Sequence, residues 1–322
     1  MTVFYRKYRP QKFEDLTGQE SVSKTLLAQL ESGKIGHGYL FWGPRGTGKT
    51  SAARILAKAV NCEKYDKKNS KKDELTFGEP CDKCVSCTAI VDGSSLDLIE
   101  IDAASNRGID EIRDLREKIK LSPVYSRFKV YIIDEAHMLT TEAFNALLKT
   151  LEEPPGHAIF ILATTEMNKL PQTIISRLQK FNFQRATRES LAKVIEKIAK
   201  AEGIKIKDGA TMEIIGASDG SFRDALSVLD QVAAEAMGEI TDVDVLLVAK
   251  TSSWENIFKF AENLADKKIK GLITQIEDAA ANGADMMAFS KQIVLFLEKI
   301  LFLKVGVTAP LAESFSSEQI EK

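Results

Sequence analysis

The residues with the clearest chemical meaning form one short segment, Gly43-Pro44-Arg45-Gly46-Thr47-Gly48-Lys49-Thr50. It fits the pattern G-x-x-x-x-G-K-[ST] and stands between an apolar run and a helical pattern, which is the context that a phosphate-binding loop requires. Its glycines let the backbone curl until several N–H groups converge on phosphate oxygens at the start of a helix. We therefore expect the segment to bind ATP, with Lys49 at the β- and γ-phosphates and Thr50 as a ligand of Mg²⁺.

Two acidic residues, Asp134 and Glu135, come directly after the apolar run 130–133. Ligands of α/β proteins bind at the carboxyl ends of the strands. Phosphoryl transfer depends on positioning and charge stabilisation, so we expect Asp134 to hold the Mg²⁺ and Glu135 to polarise the attacking water. An ordinary capped strand end is the alternative.

Four cysteines stand close together, with the spacing Cys62-x18-Cys81-x2-Cys84-x2-Cys87. The short spacings let neighbouring thiolates converge on one ion, and zinc takes four sulfur ligands in a tetrahedron. Such a closed site has no position for water, so we expect the zinc to be structural and to fix the loop at 64–79. Two alternatives stay open: an iron–sulfur cluster, and a disulfide or inert thiols.

One hydroxyl and two arginines are further candidates for contact with a nucleotide. Thr165 ends the strand that follows the acidic pair, Arg177 closes a short helix, and Arg223 opens a later one. An arginine beside a γ-phosphate stabilises the charge of the transition state, and it can come from a neighbouring subunit. The alternatives are a strand-end threonine and ordinary surface ion pairs.

The apolar runs that must position these residues are short and regularly spaced. They are 39–42, 98–101, 130–133, 159–162 and 181–183. Helical patterns separate them, and one such pattern comprises Ile109, Ile112, Arg116 and Ile119. Parallel strands need crossovers of this kind and are covered on both faces, so the sequence predicts an α/β fold with a parallel sheet.

The chain is predicted to divide into three domains. Residues 1–183 form the α/β domain, with the cysteine-bearing insertion at 62–87. No strand-like run follows Gln184, so 184–243 is predicted as a small helical domain and 244–322 as a helical bundle. Thr241 and Asp244 resemble a capping box that begins a helix.

Composition and charge exclude several classes of protein. The 322 residues carry 44 Lys and Arg against 46 Asp and Glu, so no global basic field attracts nucleic acid or lipid, and any nucleic-acid contact must be local. The basic N-terminus runs into Pro10 rather than an apolar stretch, which argues against a signal peptide. The segment 293–305 is too short and too charged to span a membrane, so we expect a buried helix. These features predict a cytoplasmic protein without membrane contact.

Taken together, the motifs resemble those of the AAA+ clamp-loader ATPases of the bacterial DNA polymerase III holoenzyme. The resemblance covers nearly the whole chain and implies an AAA+ P-loop ATPase domain, a helical lid and a helical collar. Besides the P-loop and the cysteines, it is carried by Tyr8-Arg9-Pro10, Thr17-Gly18-Gln19-Glu20, Asp134-Glu135-Ala136-His137, the segment 145–155, Ser176-Arg177 and the segment 220–226.

The resemblance also implies roles for individual residues. Near the N-terminus it implies four nucleotide-binding residues. Tyr8, Arg9 and Pro10 would lie around the adenine, and Thr17 would also contact the nucleotide. Thr165 would be the sensor 1 residue, and Arg223 would be sensor 2, acting on its own nucleotide. Arg177 would be the arginine finger that reaches the ATP of a neighbouring subunit.

The implied assembly is a pentameric ring of motor-subunit copies with delta and delta-prime subunits. ATP would let the ring open the sliding clamp, and primed DNA would then trigger hydrolysis. DNA contact would be local and independent of sequence, with Asn106 and Arg107 as candidates. We expect the collar to be truncated at Lys322, and the polymerase core and helicase to bind only through a region beyond it.

Two other functions stay open. A non-hydrolysing structural subunit like delta-prime is disfavoured by the intact Lys49 and the acidic pair. A different AAA+ remodeller, acting on protein or branched DNA, is disfavoured by the cysteines and Ser176-Arg177. One departure is Leu178, where the family has cysteine; it leaves Arg177 in place and is expected to be tolerated.

Overall fold

The computed structural model divides the chain into two compact units. The first comprises residues 1–190 and 220–223, and the second comprises 191–219 and 224–322. The residues that the structure describes are 2–65, 77–106, 115, 117–236, 238–249, 254–281 and 285–305. The predicted division into three domains stays a prediction.

The first unit is built on a five-stranded parallel sheet. Its strands are β1 (Gly38–Trp42), β2 (Leu98–Asp102), β3 (Lys129–Asp134), β4 (Ala158–Thr164) and β5 (Gln179–Asn182). They lie in the order β2-β3-β4-β1-β5, and every neighbouring pair is parallel. The predicted strands and their parallel arrangement are confirmed. Asp102 pairs with Asp134, and Trp42 pairs with Thr164, so the carboxyl ends of these strands form one edge.

Alternate strand residues supply two separate cores, one on each face of the sheet. Phe41 and Ile132 belong to one core, whereas Leu40 and Ile133 belong to the other. Because both faces are covered, all seven residues of β4 are buried. This double burial explains why the central strands β1, β3 and β4 are continuous apolar runs rather than alternating patterns.

Helices cover both faces of this sheet. They are α1 (Phe4–Lys7), α2 (Glu20–Glu31), α3 (Lys49–Asn61), α4 (Val85–Asp92), α5 (Thr141–Glu152) and α6 (Gln172–Ile175). Short 3-10 turns lie at Phe13–Asp15, Glu63–Tyr65, Ala136–Met138 and Met167–Lys169. One residue of the predicted crossover helix, Ile119, is buried. The other predicted members, Ile109, Ile112 and Arg116, lie outside the described residues.

The second unit is helical in its described part. Its helices are α7 (Arg188–Glu202, from Leu191 onward), α8 (Asp208–Ser218), α9 (Phe222–Glu235, from Asp224 onward), α10 (Asp242–Ala249), α11 (Trp254–Ala265), α12 (Ile269–Ala281) and α13 (Met286–Lys304). Helix α8 packs against α10, and α11 packs against α12 and α13. The Thr241 N–H donates to Asp244 Oδ2 at 2.8 Å, which is one of the two bonds of the predicted capping box at the start of α10.

The prediction of a buried helix at 293–305 is wrong with respect to burial. The segment is helical through Lys304, and Phe296 is 7% exposed in a core with Ile257 and Phe289. Val294 and Leu301, however, are more than 60% exposed. An amphipathic helix buries only the face that meets its neighbour, and here Phe296 lies on that face. None of the described helices combines the length and the apolar character needed to cross a membrane.

Candidate nucleotide and metal sites

The P-loop connects β1 to α3, and its shape requires glycine. Gly43 has φ +146°, and a Cβ there would lie 2.0 Å from the carbonyl oxygen of Phe183. Gly46 has φ +73°, and a Cβ there would lie 1.9 Å from Ser221 Oγ. Other residues rarely adopt such backbone angles, and a side chain would also collide with fixed neighbours. The loop therefore keeps a curled path, which is the shape that an anion-binding loop requires.

Lys49 lies at the centre of this loop and is only 6% exposed. Its Nζ donates to the carbonyl oxygens of Gly43 at 2.8 Å and Pro44 at 2.7 Å. Burial lowers the pKa of Lys49, and the nearby Glu135 and Asp134 carboxylates oppose that shift. Of the other loop side chains, Arg45 is exposed, whereas Thr47 is buried and donates to the Pro44 carbonyl.

Thr50 and Asp134 meet although they are 84 residues apart in the sequence. Thr50 Oγ1 donates to Asp134 Oδ2 at 2.7 Å, and the Glu135 N–H donates to Asp134 Oδ1 at 3.0 Å. A hydroxyl beside a carboxylate is an oxygen donor set of the kind that Mg²⁺ prefers. The predicted Mg²⁺ ligands are thus brought together, at the edge where β3 ends and α3 begins.

Glu135 adopts a left-handed backbone conformation, with φ +46°. Its Oε2 accepts a hydrogen bond from Thr165 Oγ1 at 3.2 Å and lies 3.5 Å from His137 Nδ1. The same His137 nitrogen is 3.0 Å from Thr164 Oγ1, and its Nε2 is 3.4 Å from Glu166. Sequence reasoning assigned no role to His137 or Glu166. The only available signal was the position of His137 two residues after the acidic pair.

Arg223 lies beside the P-loop. The neighbouring Phe222 N–H donates to the Gly46 carbonyl at 3.1 Å, and the Arg223 guanidinium lies over the Tyr5 ring at 5.0 Å. Sequence reasoning missed Tyr5. The cation–π contact joins a residue of α1 to a residue more than 200 positions later, which no local pattern encodes.

The N-terminal segment adds a second positive group near the same loop. Arg9 is partly buried, and burial together with the nearby Arg54 and Arg223 guanidiniums lowers its pKa, against Glu100. Arg54 is paired with Glu100. Three guanidiniums in one region suit a polyphosphate. The other predicted N-terminal residues, Tyr8, Pro10 and Thr17, are partly buried.

Arg177 lies at the opposite end of β1 from the P-loop. Its guanidinium pairs with Glu152 and donates to the Thr173 carbonyl, and its own carbonyl is 3.5 Å from where a Cβ on Gly38 would be. Gly38 begins β1, so the strand separates Arg177 from Gly43 by roughly 16 Å. Leu178 is 6% exposed and packs in the core, which fits the expectation that leucine is tolerated there.

The four cysteines form a compact group at the C-terminal end of α3. Their Sγ atoms all lie within 4.8 Å of one another, and none forms a disulfide. A tetrahedral zinc site, with Zn–S bonds of about 2.3 Å, places its sulfurs about 3.8 Å apart, so these residues fit such a metal. The residues are Cys62 (the C-cap of α3), Cys81, Cys84 and Cys87.

Backbone N–H groups orient these sulfurs. Cys81 N–H donates to Cys62 Sγ at 3.4 Å, Cys84 N–H to Cys81 Sγ at 3.3 Å, and Cys87 N–H to Cys84 Sγ at 3.5 Å. The Cys87 thiol lowers the pKa of Cys62 by hydrogen bonding to it, and the same bond raises the pKa of Cys87. The chemistry of this donor set fits a thiolate-binding metal.

The predicted DNA-binding pair is described only in part. Asn106 lies just after β2, where its N–H and its Nδ2 donate to the Asp102 carbonyl at 2.9 and 3.1 Å. Arg107 lies outside the described residues. A role of either residue in DNA contact stays a prediction.

Two family models match the chain. The model described as DNA polymerase III, delta subunit, matches residues 18–187, more than half of the chain. The model described as DNA polymerase III clamp loader subunit, ATPase lid domain, matches residues 190–238. The chain belongs to the DNA polymerase III clamp-loader family. The resemblance noted in the sequence is thereby confirmed.

Curated members of the clamp-loader family are similar over most of this chain. DNA polymerase III subunit tau of Bacillus subtilis is 48% identical over 96% of this chain and 52% of its own length. The tau subunit of Escherichia coli is 40% identical over 95% of this chain and 46% of its own length. The chain therefore spans about half the length of the curated relatives that it matches.

A solved structure of low sequence identity confirms the fold. The Thermotoga maritima RuvB Holliday junction branch migration motor matches with a TM-score of 0.55 and 19% identity. The match covers 90% of this clamp-loader chain and 91% of the RuvB chain. At this level of identity the likeness concerns the fold alone, which is that of an AAA+ P-loop domain followed by helices.

Proposed function

We propose that this chain is an ATP-hydrolysing motor subunit that opens a sliding clamp and loads it onto primed DNA. One observation carries the proposal: Lys49, Thr50, Asp134 and Glu135 lie at one edge of the sheet, as binding and hydrolysis of ATP would require. A non-hydrolysing structural subunit like delta-prime does not need this group. The arrangement therefore favours the motor function over that alternative.

The proposed chemistry assigns a separate task to each residue. The Lys49 ammonium leaves the Gly43 and Pro44 carbonyls and binds the β- and γ-phosphates of ATP. Thr50 and Asp134 hold Mg²⁺, which neutralises the charge that develops on the phosphate oxygens. Glu135 accepts a hydrogen bond from the Thr165 hydroxyl, which holds its carboxylate in position, and it orients the water that attacks the γ-phosphorus. Positioning and charge stabilisation supply most of the catalysis in such reactions.

The two arginines are proposed to act on different nucleotides. Arg223 lies next to the P-loop of its own chain, which favours contact with its own ATP. The Arg177 backbone lies near the start of β1, about one strand length from that loop. This distance favours contact with the ATP of a neighbouring subunit. Both Arg177 and its partner Glu152 are partly exposed. Breaking their ion pair so that Arg177 contacts a phosphate therefore costs little free energy.

The proposed assembly is a cytoplasmic ring of gamma/tau copies with delta and delta-prime subunits. The ring acts on the sliding clamp and on primed DNA. The zinc is proposed to be structural. An isolated chain lacks the neighbour's arginine, so it is expected to bind ATP and hydrolyse it slowly.

A subunit-mixing experiment tests this proposal. ATP hydrolysis is measured for the chain with delta, delta-prime and clamp, with and without primed DNA. Clamp and primed DNA should stimulate the wild type, and Lys49→Ala and Arg177→Ala should each abolish the stimulation. A mixture of the two variants should regain part of it, since one supplies the finger and the other the P-loop. Lys180→Ala, an exposed lysine on β5, is the matched control.

Two outcomes would contradict the proposal. Assembled wild-type rings that show no stimulation would argue against the motor function. Arg177→Ala rings that keep full activity, or variant mixtures that regain none while rings still form, would argue against a finger that acts between subunits.

A further inference from the structure

A buried lysine joins the cysteine module, defined as Cys62 with residues 77–92, to the N-terminal segment, defined as residues 2–16. Lys58 lies one turn before the end of α3, and its side chain is 1% exposed. Its Nζ donates to Asp82 Oδ1 at 2.6 Å and to Gln11 Oε1 at 2.8 Å. A buried ammonium needs such partners, so the three groups are held together.

A second contact joins the same two parts of the chain. Glu79, in the cysteine module, accepts the Phe13 N–H at 2.9 Å and the Glu14 N–H at 3.0 Å. These amides begin a 3-10 turn whose Phe13 side chain is 1% exposed. The Tyr65 hydroxyl donates to the Glu79 carbonyl at 2.9 Å and so fixes that residue in turn.

The position of Asp82 depends on the cysteines around it. Asp82 lies between Cys81 and Cys84 and has φ +55°, a left-handed conformation that aspartate adopts more readily than most residues. A metal bound to both sulfurs would hold this turn closed. Without the metal, Cys81 and Cys84 are no longer joined through an ion, so the turn can open and move the Asp82 carboxylate away from Lys58.

The N-terminal segment in turn reaches the nucleotide site. Gln11 Nε2 donates to the Arg9 carbonyl at 3.0 Å, and Arg9 lies near Arg223. Tyr5 of the same segment lies against the Arg223 guanidinium. A displacement at Gln11 therefore acts on both arginines, Arg9 and Arg223, of the proposed ATP site.

We infer that the metal-bound cysteine module raises nucleotide affinity by holding the N-terminal segment in place, with Lys58 as the positioning residue between them. The inference rests on the proposed ATP and metal sites. Linked binding equilibria are reciprocal, so nucleotide must tighten metal binding by the same factor. The linkage runs from Asp82 to Lys58, near the C-terminal end of α3, and from there through Gln11 to Arg9.

The first test measures the affinity of the full chain for a fluorescent ADP, with zinc bound and after its removal by a chelator. Removal should weaken wild-type binding by about five- to tenfold. In Lys58→Met and in Asp82→Asn the zinc-loaded affinity should fall by a similar factor, and chelation should then have little further effect. Lys83→Met removes an exposed charge from the same module and should behave as wild type. Thermal unfolding confirms that each variant folds.

The second test needs no substitution. Amide hydrogen exchange is followed in the wild type with and without zinc. The Phe13 and Glu14 amides should lose protection on chelation, whereas amides in the middle of α3 should not.

The outcomes distinguish failure of this inference from failure of the proposed ATP and metal sites on which it rests. Unchanged exchange at Phe13 and Glu14 in zinc-free protein would overturn it. So would a Lys58→Met defect of equal size with and without zinc, which indicates a merely structural role. If zinc-loaded wild type binds no ADP, or if the chain binds no metal, the proposed sites fail and the inference fails with them. If both ligands bind independently, only the linkage is wrong.

Discussion

The Thr165 hydroxyl donates to Glu135 Oε2 at 3.2 Å, across 30 residues of sequence. The two residues follow neighbouring strands, β4 and β3, so the sheet itself sets their separation. The bond limits the positions that the Glu135 carboxylate can take. In the proposed reaction Thr165 is therefore a positioning residue for the group that orients water.

Replacing this hydroxyl should reduce hydrolysis more than binding. Thr165→Val keeps the side-chain shape but removes the donor, and we expect kcat of the assembled ring to fall roughly tenfold, with ATP affinity within about twofold of wild type. Glu135→Gln should lower kcat by about 10²-fold or more. Steady-state kinetics and nucleotide titration check both values. Thr25→Val, on α2, is the control; a Thr165→Val ring with wild-type kcat would contradict the assignment.

Gly43 and Gly156 should respond in opposite directions to substitution by alanine. Gly43→Ala places a Cβ against the Phe183 carbonyl at a positive φ, so we expect a loss of roughly 2–4 kcal/mol in unfolding free energy and loss of nucleotide binding. Gly156 has no atom within 4 Å of its Cβ position, and Gly156→Ala should stabilise by up to about 1 kcal/mol. Urea denaturation measures both. Equal stability of the two variants would refute the steric argument.

Asp97 should make stability depend on acid pH. Its carboxylate is 2% exposed and accepts N–H bonds from Val124, Tyr125 and Ser126 at 2.7, 2.9 and 2.8 Å. Burial raises the pKa of Asp97, but together these hydrogen bonds lower it by more than burial raises it. The net pKa is therefore below the ordinary value. A depressed pKa stabilises the folded state above the unfolded pKa of about 3.9, and that contribution is lost as pH falls through the folded pKa.

The corresponding experiment compares wild type with Asp97→Asn by urea unfolding at several pH values. The variant should be less stable by about 1–3 kcal/mol at pH 7, because an amide replaces a charged acceptor of three part-buried N–H groups. The difference should stay constant down to about pH 5 and narrow below about pH 4. Asp92→Asn, an exposed neighbour, is the control. A difference that does not change with pH would contradict the linkage.

The cysteine group should bind one metal ion per chain. Elemental analysis should find zinc in near-equal ratio to protein, and the absorption band near 400 nm of an iron–sulfur cluster should be absent. Cys84→Ser should lose the metal and unfold at a lower temperature, because binding free energy is also folding free energy. Ser86→Ala, in the same helix α4, should keep it. A coloured protein that contains iron would contradict the zinc prediction and indicate an iron–sulfur cluster.

Local sequence was sufficient for much of this protein. Strands β3 and β4 are apolar runs of four or more residues in the interior of a doubly covered sheet, so their composition alone reveals them. The P-loop is equally local, because the glycines, Lys49 and Thr50 are adjacent and their spacing encodes both the turn and its chemistry. The clustered cysteines are also readable, since short spacings bring sulfurs together whatever the rest of the fold.

Tertiary structure alone decided which of these groups meet. Thr50 with Asp134, Arg223 with Tyr5, and Lys58 with Gln11 and Asp82 are contacts between segments far apart in the chain. They depend on the strand order β2-β3-β4-β1-β5 and on which helix covers which face, and local periodicity contains neither. The same reason explains the error at 293–305: apolar composition predicts a helix, but only the packing partner decides which of its faces is buried.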